Sequence, residues 1–576
     1  MGTRDIRFAI PQAPRGQQVL FPQCLDDVVG PDEPVRALAR LLEEVDWSPW
    51  ERAYEGCGQP PIHPRYLAGA ILYGLMHKVR STRDLETACR KHLDFIWLLE
   101  GFTPDHSTFA DFRLRHAQGI KDLKKGVACA LLARRERALM RLIIDGTRMR
   151  ADSDWHGARK AETIEGIIAE LERRMEEMVR GDEAAAPVQL DALESTPPEP
   201  DPPQAVAQSN EQAARLENER AKYQRALEAA RERDARARQH DGKNAKPVRV
   251  PVTDPESHVL PNKEGGYAPN YTPIAAIEPQ TGAIAYDDVL EGSDEASAVL
   301  PAVLAFEDLT GQKVDAVLAD GNFPEGKVLE ALDARGTEAY MPTTAASRDN
   351  PAVRPDPSQP VAEADRARLP KRGEHLARTA FIYDQQSDIY YCPMGHTLTP
   401  YKHGNNKDGV PCAYYQCQNA RDCPLAKTCI KGKNPFRTLT RDPYEPLREA
   451  TAQRMATPEG RAIYKARAPG IEGVFGIIKS ILGIRRFTLR GLTKVRIEWS
   501  WICTAYNLKK LLALEARSAL KGIQPGGGPF FCAPKWLYTR PRPAYGAFLI
   551  HKTNHQILRP IRTIGHHHHV QTAAAT

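Results

Sequence analysis

The chain has 576 residues, 41% of them hydrophobic and 26% charged. That is more than one hydrophobic core usually organises, and it excludes disorder along the whole length. The longest apolar run, Tyr66 to Met76, is too short for a bilayer, which needs about 20 residues. The N-terminus shows no basic segment followed by an apolar stretch, so a cytoplasmic protein without a membrane partner is expected. Net charge is +6, yet from Lys479 to the end sixteen Lys and Arg face only Glu498 and Glu515. Such a basic end suits a polyanion, most simply nucleic acid.

Residues 1–135 read as a helical domain. Pro64 opens a helix through about Lys78, with Leu67, Ile71, Leu72 and Met76 on one face. Ser81 and Thr82 begin the next, and Asp105 to Thr108 reads as a cap before Phe109 and Phe112. Short helices with a basic rim (Arg80, Arg83, Arg90, Lys91) fit a DNA-binding module. Leu142 to Ile144 is a short buried strand ending at Asp145-Gly146. Two Ala/Glu/Arg-rich helices, Ala161 to Arg180 and Gln212 to Arg238, flank a Pro-rich acidic loop, Glu194 to Pro203. They predict a helical arm inserted at 155–250. Thr272 to Ile277 and Ala283 to Leu290 form a hairpin about the turn Pro279 to Gly282. A helix from Asp294 to about Leu309 precedes a buried strand, Val314 to Ala319, which ends at Asp320-Gly321. A further helix and the strand Glu338 to Met341 follow. A Pro-rich and Cys-rich insertion is expected at 344–445, with the sheet domain comprising 136–343 and 446–515 and a basic tail at 516–576.

Helix returns around Thr457 to Ala466, and Pro469-Gly470 reads as its break. Ile471, Val474, Phe475, Ile478, Ile481 and Leu482 then repeat as one helix face ending at Gly483. Glu472 stands beside this stripe in the expected first turn, where the helix dipole favours a carboxylate. Lys479 lies seven residues on, on nearly the same face, about 10 Å along the axis. Asp145, Asp320 and Glu472 hold topologically matched positions, two at strand ends and one on a late helix. Two Asp and one Glu suit a hard cation such as Mg²⁺ (or Mn²⁺). Two such ions about 4 Å apart activate a water or hydroxyl and stabilise the leaving oxygen of a phosphodiester.

Five of the eleven cysteines cluster between Cys392 and Cys429. Cys392, Cys412, Cys417, Cys423 and Cys429, with His396, offer thiolates and an imidazole of the kind that hold structural Zn²⁺. Two other signals carry less. Gly321 to Lys327 reads G-x4-G-K after a strand, but Val328 lacks the hydroxyl a phosphate loop needs for Mg²⁺. The run His566 to His569 reads as tail composition.

The spacing Tyr464-x2-Arg467-x4-Glu472-x6-Lys479 resembles the Tyr-Arg-Glu-Lys signature of bacterial insertion-sequence DDE transposases, whose commonest form has three residues between Arg and Glu. The strings IIDGTRMRAD at Asp145, VLADGNFPEG at Asp320, EGVFGIIK and GIRRFTLRGL are similar to that family, as are DPES from Asp254 and NYTPIAAIE from Asn270. The resemblance covers roughly 55–510. It implies a mixed α/β chain with an RNase H-like catalytic domain, in which Asp145, Asp320 and Glu472 bind the metals. Tyr464, Arg467 and Lys479 would contact DNA. Within the cysteine cluster it favours Cys392, Cys417, Cys423 and Cys429 as the structural zinc ligands. The implied activity is cleavage and transfer of DNA strands, acting as a homodimer on the element's terminal inverted repeats and on target DNA in the nucleoid. A metal-dependent nuclease on the same fold and an inactive DNA-binding remnant are the alternative readings.

Overall fold

Three side chains start the helices that the sequence marks at the N-terminal end. In the computed structural model the described residues are 24–54, 60–136, 139–184, 202–242, 245–262, 265–343, 350–406, 409–418, 423–430 and 435–520. They begin with helices α1 (Leu25–Val28), α2 (Pro34–Glu43), α3 (Ser48–Glu51), α4 (Pro64–Met76), α5 (Thr82–Lys91), α6 (Leu93–Leu98), α7 (His106–Arg115) and α8 (Ala117–Leu132). The His63 ring accepts the Arg65 N–H at 3.1 Å. Ser81 Oγ accepts from Asp84 at 3.0 Å, and the Asp105 carboxylate from Thr108 at 2.7 Å. Each satisfies an N–H that the first helical turn leaves without a partner.

The sheet strands are β1 (Arg141–Gly146), β2 (Met149–Arg150), β3 (Ala158–Arg159), β4 (Val250–Pro251), β5 (His258–Pro261), β6 (Tyr267–Ile277), β7 (Ile284–Leu290), β8 (Ala316–Leu318) and β9 (Glu338–Tyr340). Across the sheet the order is β7, β6, β1, β8, β9. The first three are antiparallel neighbours and the last three parallel ones. The short strands β2 and β5 pair with the first half of β6. A two-stranded β3–β4 pair closes the base of the helical arm, α9 (Ala161–Ala184) and α10 (Pro202–Asp241). The arm helices pack through Ile164, Ile168, Ala226 and Ala230. The expected Pro-rich loop through residue 201, the tail from 521, His566 to His569, Cys57 and Cys532 all lie outside the described residues.

Helices cover both faces of the sheet. On one face Leu142, Ile144 and Val317 meet α11 (Val299–Thr310) through Val299, Val303 and Phe306, and α12 (Gly326–Ala334) through Leu329 and Leu332. On the other, Ile143, Ala275 and Leu318 share a core with the N-terminal helices and the C-terminal ones. A buried ion pair between Lys124 of α8 and Asp287 of β7 joins these layers.

Residues 371–441 form a separate small structure with its own core, built on Leu376, Phe381, Tyr390, Leu398 and Tyr415. It contains the pair β10 (Lys371–Arg372) and β11 (His375–Leu376). Its main element is a five-stranded antiparallel sheet: β12 (Ile382–Asp384), β13 (Ile389–Tyr391), β14 (Thr397–Asn405), β15 (Pro411–Cys417) and β16 (Thr438–Arg441). A short helix, α13 (Ala426–Cys429), precedes β16.

Four helices follow: α14 (Glu445–Ala456), α15 (Pro458–Lys465), α16 (Arg467–Gly476) and, after a π turn at Ile477–Ile481, α17 (Leu492–Leu520). The break before α16 falls at Ala466, not at Pro469-Gly470. Pro469 is tolerated inside α16 because first-turn N–H groups have no helical partner to lose. Glu472 consequently stands in the second turn rather than the first. The edge strand β7 is covered by α17, whose Asn507 side chain bonds both Ile284 N and Ile284 O at 2.9 Å. Among the described residues no helix is long and apolar enough to cross a membrane.

Candidate active site

Asp145 and Asp320 are 175 residues apart in sequence and are brought together by the parallel pairing of β1 with β8. Asp145 sits in β1 itself, and Asp320 follows β8 by two residues. The Asp320 carboxylate is fixed by an Asx turn, accepting from Asn322 N at 2.8 Å. A third acid joins them. Ligand oxygens of Asp145, Asp320 and Glu295 lie within 4.8 Å of one another.

Glu295 stands between β7 and α11, in the turn that opens the helix. Its carboxylate reaches the strand end because residue 146 is glycine. A Cβ there would lie 2.7 Å from Glu295 Oε1, closer than real Cβ contacts come. Sequence reading missed Glu295. Its only signal was an acidic pair, Asp294-Glu295, ahead of a helix, and such pairs usually serve as caps.

Three carboxylates this close repel, and two arginines answer them. Arg467 Nη1 donates to Asp145 Oδ2 at 3.0 Å, with both side chains 13% exposed. Arg148 Nη1 donates to Glu295 Oε1 at 3.0 Å and to Thr272 Oγ1 at 2.6 Å. Burial raises the Asp145 carboxyl above the usual range, Arg467 pulls it back, and Asp320 adds to the rise. Glu295 is likewise raised by burial and lowered by Arg148, while Asp320 and Asp145 push it up. Two of the three acids are thus offset by arginines within a partly buried site.

Glu472 lies on the neighbouring helix. It is exposed on α16 and is not one of the three acids within 4.8 Å. The helix itself docks at the site. Arg467, its first residue, holds Asp145, and Gly470 abuts the side chains of Ile143 in β1 and Ile277 in β6. The Arg467 guanidinium lies 5.9 Å from the centre of the Tyr464 ring. Lys479 Nζ donates to Thr147 Oγ1 at 2.5 Å and to Arg148 O at 2.9 Å, in the link just past the end of β1. The π turn around Lys479 rotates it off the regular helical face that its sequence spacing implies. Tyr464, Arg467 and Lys479 are thus gathered along one edge of the site, with the two cations directed to protein groups.

In the cysteine module, Cys392, Cys417, Cys423 and Cys429 are electrostatic neighbours. Burial raises the Cys429 thiol to about 12, with Cys392, Cys423 and Cys417 adding to the rise. Cys392, pushed to about 11 mainly by burial, is also raised by Cys417 and Cys423. Its sulfur accepts the Met394 N–H at 3.3 Å, inside a tight turn closed by Gly395 at φ +80°. Cys412 feels Asp442, Arg378 and Arg448 instead of the other thiols, so it stands apart from the set.

Comparison with known families agrees with this layout. Residues 391–512, spanning the cysteine module, α16 and most of α17, match the family described as "Transposase DDE domain". Residues 23–115, in the N-terminal helices, match the family described as "Transposase domain (DUF772)". No curated protein and no solved structure matches the chain. Transposase-family segments thus stand on both sides of a sheet whose strand ends bring acids together, and the two matches support an insertion-sequence DDE transposase.

Proposed function

We propose that the chain is a DNA transposase that cleaves DNA strands at element ends and joins them to target DNA. Its catalytic domain is read as RNase H-like. Three antiparallel strands followed by two parallel ones, with helices on both faces, support that reading. The observation that carries the proposal is the meeting of Asp145 and Asp320 at the ends of adjacent parallel strands, with α16 docked against the first of them.

Asp145 and Asp320, with Glu472 from α16, are the proposed ligands of Mg²⁺ or Mn²⁺. The donor set fits: carboxylate oxygens only, on rigid elements, in a site otherwise held together by arginines. Such an ion supplies an activated water or 3′-hydroxyl and stabilises the leaving oxygen of a phosphodiester. In the free protein Arg467 orients Asp145 and opposes the rise that burial causes in its carboxyl. Lys479 fixes the β1 end through Thr147, and Tyr464 lines the approach. These three are the proposed contacts to the DNA backbone. A second assignment of the third ligand is favoured by one distance. Glu295, rather than Glu472, lies within 4.8 Å of both Asp residues. Glu295→Gln and Glu472→Gln separate the two. The variant that loses Mn²⁺-dependent cleavage while keeping DNA binding identifies the ligand, and cleavage at wild-type rates by Asp145→Ala or Asp320→Ala would refute the site.

Cys392, Cys417, Cys423 and Cys429 are the proposed zinc ligands. Cys429 feels the other three thiols and Cys392 feels Cys417 and Cys423, which supports a shared tetrathiolate site, and the Met394 N–H on Cys392 sulfur suits a thiolate. The ion would hold this module together rather than react. Binding of the terminal inverted repeats, assembly as a homodimer on DNA and DNA recognition by the N-terminal helices belong to the same proposal. Strand-transfer assays on DNA carrying the element ends test it against a plain nuclease, which would cut without joining.

A further inference from the structure

From the geometry of the loop Gly483–Gly491 we infer a phosphate-contact site for DNA, formed by Arg486 and Arg490 and covered in the free protein by the Asp152 carboxylate. This inference deepens the proposed function and rests on it. The loop leaves the π turn that carries Lys479 and leads into α17. It is anchored several times over. Its backbone bonds Arg150 on both sides, Arg150 N to Arg485 O at 3.3 Å and Phe487 N to Arg150 O at 2.9 Å. Phe487 is buried between Tyr271 and Trp499. The buried Glu498 carboxylate accepts from Thr488 N and Leu489 N at 2.9 Å, and Gly491 N donates to Asp254 at 3.1 Å.

On this fixed frame two guanidiniums face outward. The Arg486 and Arg490 side chains are 54% and 55% exposed, yet both converge on Asp152. Arg486 Nη2 donates to Oδ1 at 2.7 Å, and Arg490 Nε to Oδ2 at 2.9 Å. Exposed ion pairs of this kind add little to stability, and the loop is already held by its backbone and by Phe487. Structural need therefore does not account for two arginines on one carboxylate. A forked pair of guanidiniums around a single anion is the arrangement that binds a phosphate, and the carboxylate stands where that phosphate would go.

Placement gives the anion its identity. A single stretch of chain runs from Asp145 past Thr147 and Arg148, where Lys479 docks, to Arg150, where the loop docks, and on to Asp152. Seven residues at about 3.3 Å each span at most about 23 Å. One strand of duplex DNA places a phosphate every 3.4 Å or so along its axis, so the site lies no more than about seven nucleotides from the reacting phosphate. The connection between α4 and α5 reaches the same loop. The Lys78 side chain lies against Gly483, and Arg80 donates to Arg486 O.

The test uses the full chain and a duplex of arbitrary sequence, with affinity measured across a salt series. Each phosphate contact contributes about 0.9 to the slope of log affinity against log salt. Arg486→Ala with Arg490→Ala should weaken binding and flatten the slope by up to about 1.8, while Arg486→Lys with Arg490→Lys should largely retain it. Asp152→Asn should tighten binding several-fold at low salt, because no carboxylate then competes for the arginines. That gain should vanish when both arginines are alanine. An unchanged slope in the double alanine variant, or equal or weaker binding by Asp152→Asn at an unchanged melting temperature, overturns the inference. If the alanine variant does not fold, Asp152→Asn and the lysine pair decide. A wild-type chain that binds no DNA at low salt would sink the functional reading with it. A wild-type chain that binds and cleaves while the variants match it sinks this inference alone.

Discussion

The carboxylate site and the cysteine module are assembled in opposite ways. Asp145, Glu295 and Asp320 come from three separate elements and meet because β1 pairs with β8 and α11 follows β7 on the same sheet. Two of the three acids, Asp145 and Glu295, are paired with Arg467 and Arg148. The four cysteines fall between Cys392 and Cys429 in one small module with its own core, where burial and the other three thiols raise the Cys429 thiol while Arg437 lowers it. A site carried by a large folded core can be held poised, partly neutralised by its own arginines. One built locally from thiols depends on its metal for order.

That contrast is most exposed to mutation at the carboxylates. Asp145→Asn and Asp320→Asn should each reduce Mn²⁺-dependent DNA cleavage by more than about 100-fold, beyond the usual effect of an outer partner. The melting temperature should hold or rise for Asp320→Asn, because a repulsion is removed with no ion pair lost, and should fall modestly for Asp145→Asn, which also gives up its pair with Arg467. A large fall in melting temperature would show that the acids hold the fold rather than wait for an ion. Cys392→Ser should have the reverse profile. Metal analysis should find about one zinc per wild-type chain and none in the variant. Proteolysis should then cut within 350–441 while the sheet domain stays intact. Equal protease resistance with and without zinc would remove the distinction between the two regions.

Gly146→Ala is a finer probe. The added methyl must displace the Glu295 carboxylate, and a loss of about 10-fold in cleavage is expected, as for an outer partner of a metal site. Wild-type rates would show that Glu295 has no part in the reaction. The smallest effect is expected from Arg148→Gln, which should lower metal-free stability by about 1 kcal/mol, since the ion pair is partly open to solvent. Mn²⁺ should recover part of that loss in thermal melts, because binding to the folded state alone stabilises it. A loss that Mn²⁺ leaves untouched would place Arg148 outside the site's electrostatics.

Much of the sheet could be read from sequence because its strands are short apolar runs ending in Asp-Gly. Leu142 to Ile144 and Val314 to Ala319 both announce a buried strand with an acid at its end. The arm could be read from the change to Ala/Glu/Arg composition. Other features had no local signal. Helix α14 lacks apolar periodicity and lies where the Cys-rich insertion meets the sheet domain, so it was not foreseen. Pro469 suggested a break, yet the helix starts two residues earlier because its first turn tolerates proline. The π turn at Lys479 breaks the regular helical period on which spacing arithmetic depends. Glu295 reaches the site through the crossing of β6, β7 and α11, a property of the sheet rather than of its neighbours in sequence.

Anomalous diffraction from crystals of the full chain soaked in Mn²⁺ would locate the ion itself. The expected peak lies between the carboxylates of Asp145 and Asp320, within coordination distance of Glu472 or Glu295, with Arg467 moved off Asp145. A well-occupied Mn²⁺ elsewhere on the chain, with Asp145 still paired to Arg467 and no peak beside Asp320, would contradict the metal site on which the catalytic reading depends.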